Sequence, residues 1–414
     1  MKEQIYNSLI HKNIILFGVW EEAVLFYQKY HHLLHIQFCM TSYSENLTLQ
    51  PMREYGLETR LFDDVKLTDQ DFLVICDDKY YQSIERRLKT ENIAEYSGFV
   101  NWKLAAAVLE RKQLAVFMGS AFMKQIAMGI KAQPDFSEKY FSVFYFEDDL
   151  LQPYQNRICE YKHLARLCDA YIVSVCDKDM YGSKVFSDSL LLPDCVKISV
   201  SDYTFNGYYP QIVDNRDTYS DFLYRERKRL DLYYGTLFLA REDANLKKYV
   251  LEKLSPDEII NRVCDEAFYS ADTVNENYQN ALQNIRKSDL LADIRLADYI
   301  EKACAGTVAY RNLDEWNLPM LLYVMERISE KLQLTYHEPD KKALGEKLEE
   351  TSGSELPVYP SVLKALHISG FDSKKYRIVS YYGIRHMGFE EYMRYCIECM
   401  YQIRDMDMFL GGTI

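Results

Sequence analysis

The residues best suited to chemistry stand where predicted strands end. Residues 114–118 (LAVFM) form an apolar run that closes on Gly119-Ser120, and Ala121, Ile126 and Ile130 then recur at helical spacing. A strand that turns straight into a helix aims the helix's first amides past the strand end, where an anion or a developing oxyanion is favoured. The other strand ends of this region are polar too. Glu147-Asp148-Asp149 follow 141–146, Asp177-Lys178-Asp179 follow 171–176, and Ser201-Asp202 follow 196–200. Each of these also suits a helix cap or a turn, but together they outline one rim. Directly after it comes Tyr203-Thr204-Phe205-Asn206-Gly207-Tyr208-Tyr209-Pro210-Gln211, an aromatic loop with an Asn-Gly turn and a proline. Its position past a strand end makes it the expected ligand clamp, with Phe205, Asn206, Gly207 and Tyr208 as candidate substrate contacts.

The elements that must position these residues read as alternating strands and helices. Residues 13–18 (NIILFG), 35–40, 58–62 and 71–76 are strand-like, with helical patterns to about Tyr30 and over 80–88. A bridging helical pattern over 96–111 leads to a second series of strands at 115–118, 141–146, 171–176 and 196–200, with helices around 121–132 and 156–168. Such alternation implies parallel sheets, whose ligands lie outside the carboxyl ends of the strands. The expected fold class is therefore α/β: a Rossmann-like domain over 1–98, then a second parallel-sheet domain over 99–337 whose later part, from about Asp221, forms a helical cover. Within the cover, helical spacing is expected over 225–235, 246–254, 256–264, 274–285 and 290–304. Residues 338–356 read as a linker or exposed helix and 357–414 as a small helical tail.

The first strand ends in Gly18-Val19-Trp20-Glu21-Glu22-Ala23, which lacks the later glycines of a GxGxxG turn. Trp20 crowds the place a pyrophosphate would occupy, and Glu21 and Glu22 repel it. This half resembles the small Rossmann-like modules attached to sugar-modifying and polysaccharide-assembly enzymes, with no dinucleotide expected.

Composition narrows the classes. The 414 residues suffice for two or three domains at ~100–200 residues each. Lys plus Arg number 49 against 62 Asp plus Glu, a net charge of −13, which argues against nucleic acid or an anionic membrane as partner. No apolar window is long enough for a transmembrane segment, and MKEQIYNSLIHKNIILFGVW is not a signal peptide, so a cytoplasmic protein is expected. The ten cysteines then read as reduced thiols. Cys396 and Cys399 form a CxxC with only His386 nearby, which favours two core cysteines over a metal site.

Several blocks resemble the capsular-polysaccharide biosynthesis family called WcbI: GSAFMKQI at 119–126, CDAYIVSVC at 168–176, LLLPDCVKISVSDYTFNGYYPQ at 190–211 and SDLLADIRLADYI at 288–300. Phe205-Asn206-Gly207-Tyr208-Tyr209-Pro210 matches that family's Phe-x-Gly-Tyr-x-Pro loop. The resemblance implies a coenzyme A-binding α/β domain that acetylates sugar hydroxyls, with coenzyme A or acetyl-coenzyme A as cofactor and a small-molecule or polysaccharide substrate. Read as an acyltransferase, the chain has Ser120 at the turn as nucleophile or oxyanion donor, Asp177 or Asp202 of the rim as base, and Gly119, Lys178 and Lys184 as cofactor contacts. Where the family has Gly-Asn-Cys-Gln this chain has Gly119-Ser120-Ala121-Phe122, and the family's His-Pro is Leu318-Pro319. A thiol and an imidazole are thus absent from their usual places. Two readings stand: an acyltransferase that uses Ser120, or a ligand-binding member of the same pathway without catalysis.

Overall fold

The computed structural model describes residues 1–47, 52–78, 80–146, 157–175, 191–213, 229–230, 233–236, 242–303, 306–371 and 375–409. It is an α/β protein built on parallel sheets, as the alternation predicts. Chain contacts divide it into two compact units, one of residues 1–200 and 325–337, the other of residues 201–324 and 338–414.

In the first unit, α1 (Lys2–His11) precedes β1 (Asn13–Phe17), α2 (Glu21–Tyr30), β2 (Ile36–Thr41), β3 (Thr59–Leu61), β4 (Asp71–Ile75), α3 (Tyr81–Thr90) and β5 (Phe99–Asn101). Then follow α4 (Trp102–Leu109), β6 (Gln113–Gly119), α5 (Ala121–Ile130), α6 (Pro134–Lys139), β7 (Tyr140–Phe146), α7 (Arg157–Ala165), β8 (Ala170–Val175) and β9 (Val196–Ser201). One sheet has the order β3-β2-β1-β4-β5 and the other β7-β6-β8-β9. Alternate residues of β1 enter different cores: Ile14 and Leu16 join one, Ile15 and Phe17 the other. The core around Ile14 and Leu16 continues through Leu104, Ala105, Ala106, Ala107 and Val108 of α4 to Leu114, Val116 and Met118 of β6. Because α4 is apolar except for Lys103, it is covered on most of its circumference, and the two sheets share it. The helical pattern expected over 96–111 is accordingly divided. Phe99–Asn101 pair with Leu73–Ile75 as an edge strand, and the Asn101 side chain then accepts the Lys103 N–H at 2.8 Å to start α4.

The second unit carries the short strands β10 (Ile212–Val213) and β11 (Glu242–Asp243), followed by α8 (Ala244–Leu251), α9 (Pro256–Val263), α10 (Ala271–Asp289) and α11 (Ala297–Ala303). Ser255 and Glu258 close a reciprocal capping box at α9, the helix start read from Ser255-Pro256-Asp257-Glu258. The helix expected over 290–304 begins only at Ala297. Asp289 ends α10, and its carboxylate accepts the N–H groups of Leu296 and Ala297, each at 2.9 Å, holding the residues between them as a turn. Farther on, Lys341–Thr351 is helical with Leu348 buried, and Tyr376–Ser380 pairs antiparallel with Gly383–Met387.

Candidate functional site

β6 is central in its sheet, so Leu114, Ala115, Val116, Phe117 and Met118 are fully buried. The chain leaves it through Gly119 and Ser120. Ser120 is extended (φ −80°, ψ −168°), and its Oγ accepts the Phe122 N–H at 3.2 Å, capping α5. From α5 the chain goes on to β7 on one side of β6, whereas β8 lies on the other side and is followed by β9 beyond it. Neighbouring strands β6 and β8 therefore send their chains in opposite directions. The resulting crevice is the topological switch point of this sheet, where open parallel sheets hold ligands.

The register pairs Met118 with Val173, which puts Gly119 beside Ser174. A Cβ at Gly119 would lie 2.2 Å from Ser174 Oγ and 2.8 Å from Ser174 Cβ. Glycine is required there by that close approach. On the other flank, Gly119 pairs with Phe146, and the exposed Lys124 of α5 holds its Nζ 5.6 Å from the Phe146 ring centroid. One rim thus brings together a helix N-terminus, two serine hydroxyls and a cation. An arrangement of this kind can hold a phosphate or a carbonyl oxygen gaining negative charge.

Of the residues singled out by sequence, Gly119 and Ser120 lie at this crevice. Asp177, Lys178 and Lys184 fall outside the described residues, as do Glu147, Asp148, Asp149 and Cys176. Asp202 follows β9, is half-buried, belongs to the second unit and adds negative charge near Tyr310. Phe205, Gly207 and Tyr208 are buried in that second unit, and Asn206 is exposed. The Phe205 ring stacks on Tyr310 at 5.2 Å and meets Tyr208 edge-on at 5.0 Å. Tyr208 Oη accepts the Ala309 N–H at 3.2 Å, and the neighbouring Tyr209 donates to the Tyr310 carbonyl at 3.1 Å. Gly207 is dictated by this packing, since a Cβ there would stand 2.4 Å from the Phe205 ring. Phe205, Tyr208 and Tyr209 are committed to the core, and Thr204 and Asn206 are the side chains the loop presents outward. Sequence reasoning missed Ser174 and Lys124. Lys124 had a signal, one helical turn beyond Ser120, whereas Ser174 had none without the strand order.

The first sheet repeats the geometry with different charges. Gly18, at φ +139°, ends β1 against β4, and a Cβ there would stand 2.4 Å from the Cys76 carbonyl oxygen. Around this second crevice lie Glu22, Asp77 and Asp78. Burial, with the Asp78 carboxylate nearby, holds the Glu22 carboxyl above its usual range. Asp78 accepts from Trp102 Nε1 at 3.1 Å and from Lys103 Nζ at 2.6 Å, and Lys103 also pairs with the fully buried Glu160. Burial opposes the Lys103 charge, but Glu160 and Asp78 outweigh it and raise its pKa. Negative charge thus gathers where a dinucleotide's pyrophosphate would approach.

Two other buried titratable groups serve structure. His163 Nε2 accepts the Asn101 N–H at 3.2 Å, so the ring is neutral and its Nδ1–H donates to Glu95 at 2.6 Å. Burial, the largest influence, depresses its pKa. Asp243 Oδ1 accepts the N–H groups of Asn245 and Leu246, each at 3.0 Å, and Oδ2 accepts the Tyr359 hydroxyl at 2.8 Å. Complete burial nevertheless pushes its carboxyl up to about 7. Cys396 and Cys399 are both buried.

Fold and site together define a parallel α/β protein with a glycine-seated crevice at a sheet switch point. No protein-family model matches the chain, and no curated protein matches it significantly. Among solved structures, it is similar at a distance to WcbI, described as a novel polysaccharide biosynthesis enzyme, in the native form without a disulfide bond between coenzyme A and one of that protein's cysteines. The TM-score is 0.47 at 13% identity, over 70% of this chain and 89% of the other. No helix among the described residues is long and apolar enough to cross a membrane.

Proposed function

We propose that this chain binds coenzyme A or acetyl-coenzyme A at the Gly119–Ser120 crevice and transfers the acetyl group to a sugar hydroxyl during synthesis of a cell-surface polysaccharide. The observation that supports it is the convergence of the α5 N-terminus, Gly119, Ser174 and Lys124 at the switch point. Such a site suits both halves of the ligand: a cation and helix amides for phosphate, a serine hydroxyl and helix amides for the thioester oxygen. In this reading Lys124, Lys178 and Lys184 take the phosphates, and Asp177 takes the proton of the attacking hydroxyl. The sugar oxygen bonds the acetyl carbon, the C–S bond breaks, and the proton passes to the departing thiolate.

A second reading, a ligand-binding protein without transfer chemistry, is favoured by the state of Ser120. Its Oγ is engaged as a helix cap, and Ala121 stands where the resemblance expects cysteine. The two separate in one experiment. Thermal shift with coenzyme A and acetyl-coenzyme A is measured beside thiol release from acetyl-coenzyme A with a panel of nucleotide sugars. Acetyl transfer predicts saturable binding and release that falls at least ~10²-fold in Ser120→Ala, which loses the hydroxyl donor at a capping cost of about 1 kcal/mol. Binding without release gives the second reading, and no binding overturns both.

A further inference from the structure

Cys168 and Cys195 are far apart in sequence, yet their sulfurs lie 3.6 Å apart. Cys168 is fully buried, its Sγ also 3.2 Å from the Ala165 carbonyl, and Cys195 is half-buried. The Val196 N–H donates to the Asp169 carbonyl at 2.9 Å where β8 and β9 begin, so in a parallel ladder Cys195 stands opposite Asp169 and Cys168 lies one residue before it. Strands ~4.8 Å apart and an offset of ~3.3 Å put the two Cα atoms roughly 6 Å apart, within the ~4.4–6.8 Å that a disulfide spans.

We infer that Cys168 and Cys195 form a peroxide-oxidisable dithiol, with Cys195 as the attacking sulfur and Cys168 as the resolving one. The roles follow from the surroundings. Cys195 is the more accessible sulfur, and its contact with the Cys168 sulfur favours its thiolate. Burial and the Asp169 carboxylate oppose it, and Lys2, ion-paired to Asp169, offsets part of that opposition. Cys168 keeps its proton, held by the contact with Cys195 and by burial. The Cys195 thiolate attacks a peroxide oxygen, the O–O bond breaks, and the sulfenic acid forms with release of hydroxide. Cys168 then loses its proton to hydroxide and attacks the Cys195 sulfur. The S–S bond forms as hydroxide leaves and takes up the proton Cys195 first released, so both thiols are oxidised and one peroxide is reduced to two waters. The link would tie the starts of β8 and β9, at the end of the sheet opposite Gly119–Ser120. This inference is independent of the reading of that crevice.

The test treats the full-length reduced protein with hydrogen peroxide, blocks remaining thiols with iodoacetamide and maps peptides by mass spectrometry. The expected result is a linked Cys168–Cys195 peptide pair that dithiothreitol reverses, formed before oxidation of the half-buried Cys264. The oxidised protein should also melt at a higher temperature than the reduced one, since the crosslink restricts the unfolded chain. In Cys168→Ser the Cys195 sulfenic acid should accumulate and be trapped by dimedone. If Cys195 oxidises no faster than Cys264, or passes to sulfinic acid in the wild type with no linked pair, the inference is overturned. The wild-type map decides the matter even where a variant fails to fold.

Discussion

Replacing Gly119 with alanine tests the geometry on which the crevice rests. The added Cβ would stand 2.2 Å from Ser174 Oγ, 2.8 Å from Ser174 Cβ and 3.1 Å from Met123 Cβ. Favourable carbon contacts begin near ~3.5 Å. Rotating Ser174 removes the first overlap but not the second, because its Cβ is fixed by β8, whose Val173 pairs with Met118. Overpacking of this kind costs ~1–3 kcal/mol. Gly119 also sits at φ +157°, where a side chain adds a further ~1–3 kcal/mol. Together these give a loss of ~2–6 kcal/mol. Ser174→Gly in the same chain should recover the overlap share and leave the backbone share, while Ser174→Gly alone should cost about 1 kcal/mol for glycine in a strand. Urea unfolding followed by far-ultraviolet circular dichroism measures all four proteins. A neutral Gly119→Ala, or effects of the two substitutions that simply add, would refute the close approach.

Asp243 gives a pH prediction. Its carboxyl is pushed up to about 7 in the folded chain, against roughly 4 in an unfolded one. Its contribution is therefore fully present below about pH 4 and is lost as pH rises through about 7, a change of up to ~4 kcal/mol. Asp243→Asn should remove that slope, and denaturant midpoints at about pH 4.5 and about pH 7.5 that change equally in both proteins would exclude it. The aromatic loop gives a contrast between neighbours. Phe205→Ala should cost ~3–5 kcal/mol by opening the cluster around Tyr208 and Tyr310, whereas Asn206→Ala should stay within ~0.5 kcal/mol. Equal melting temperatures for the two variants would contradict the packing.

The sequence alone determined the parallel α/β class and the positions of most strands, because a buried strand and an amphipathic helix advertise themselves through local spacing. The Gly119-Ser120 turn and the α9 start were legible for the same reason: a cap is a contact among residues close in the chain. Phe99–Asn101 was not legible, since a strand so short beside an alanine-rich helix carries no period of its own. Tertiary structure decided whatever depends on which strands are neighbours. Only with β8 beside β6 does Ser174 meet Gly119, making the crevice a switch point, and only with β9 beside β8 does Cys195 meet Cys168. The aromatic loop shows the limit from the other side. An aromatic run past a strand end reads alike whether its rings face a ligand or a core, and the partners that bury Phe205 and Tyr208, namely Tyr278, Tyr310 and Ala309, come from distant parts of the chain. Hydrophobic burial is non-directional, so pattern tells that a ring will be covered, and only the assembled fold tells by what.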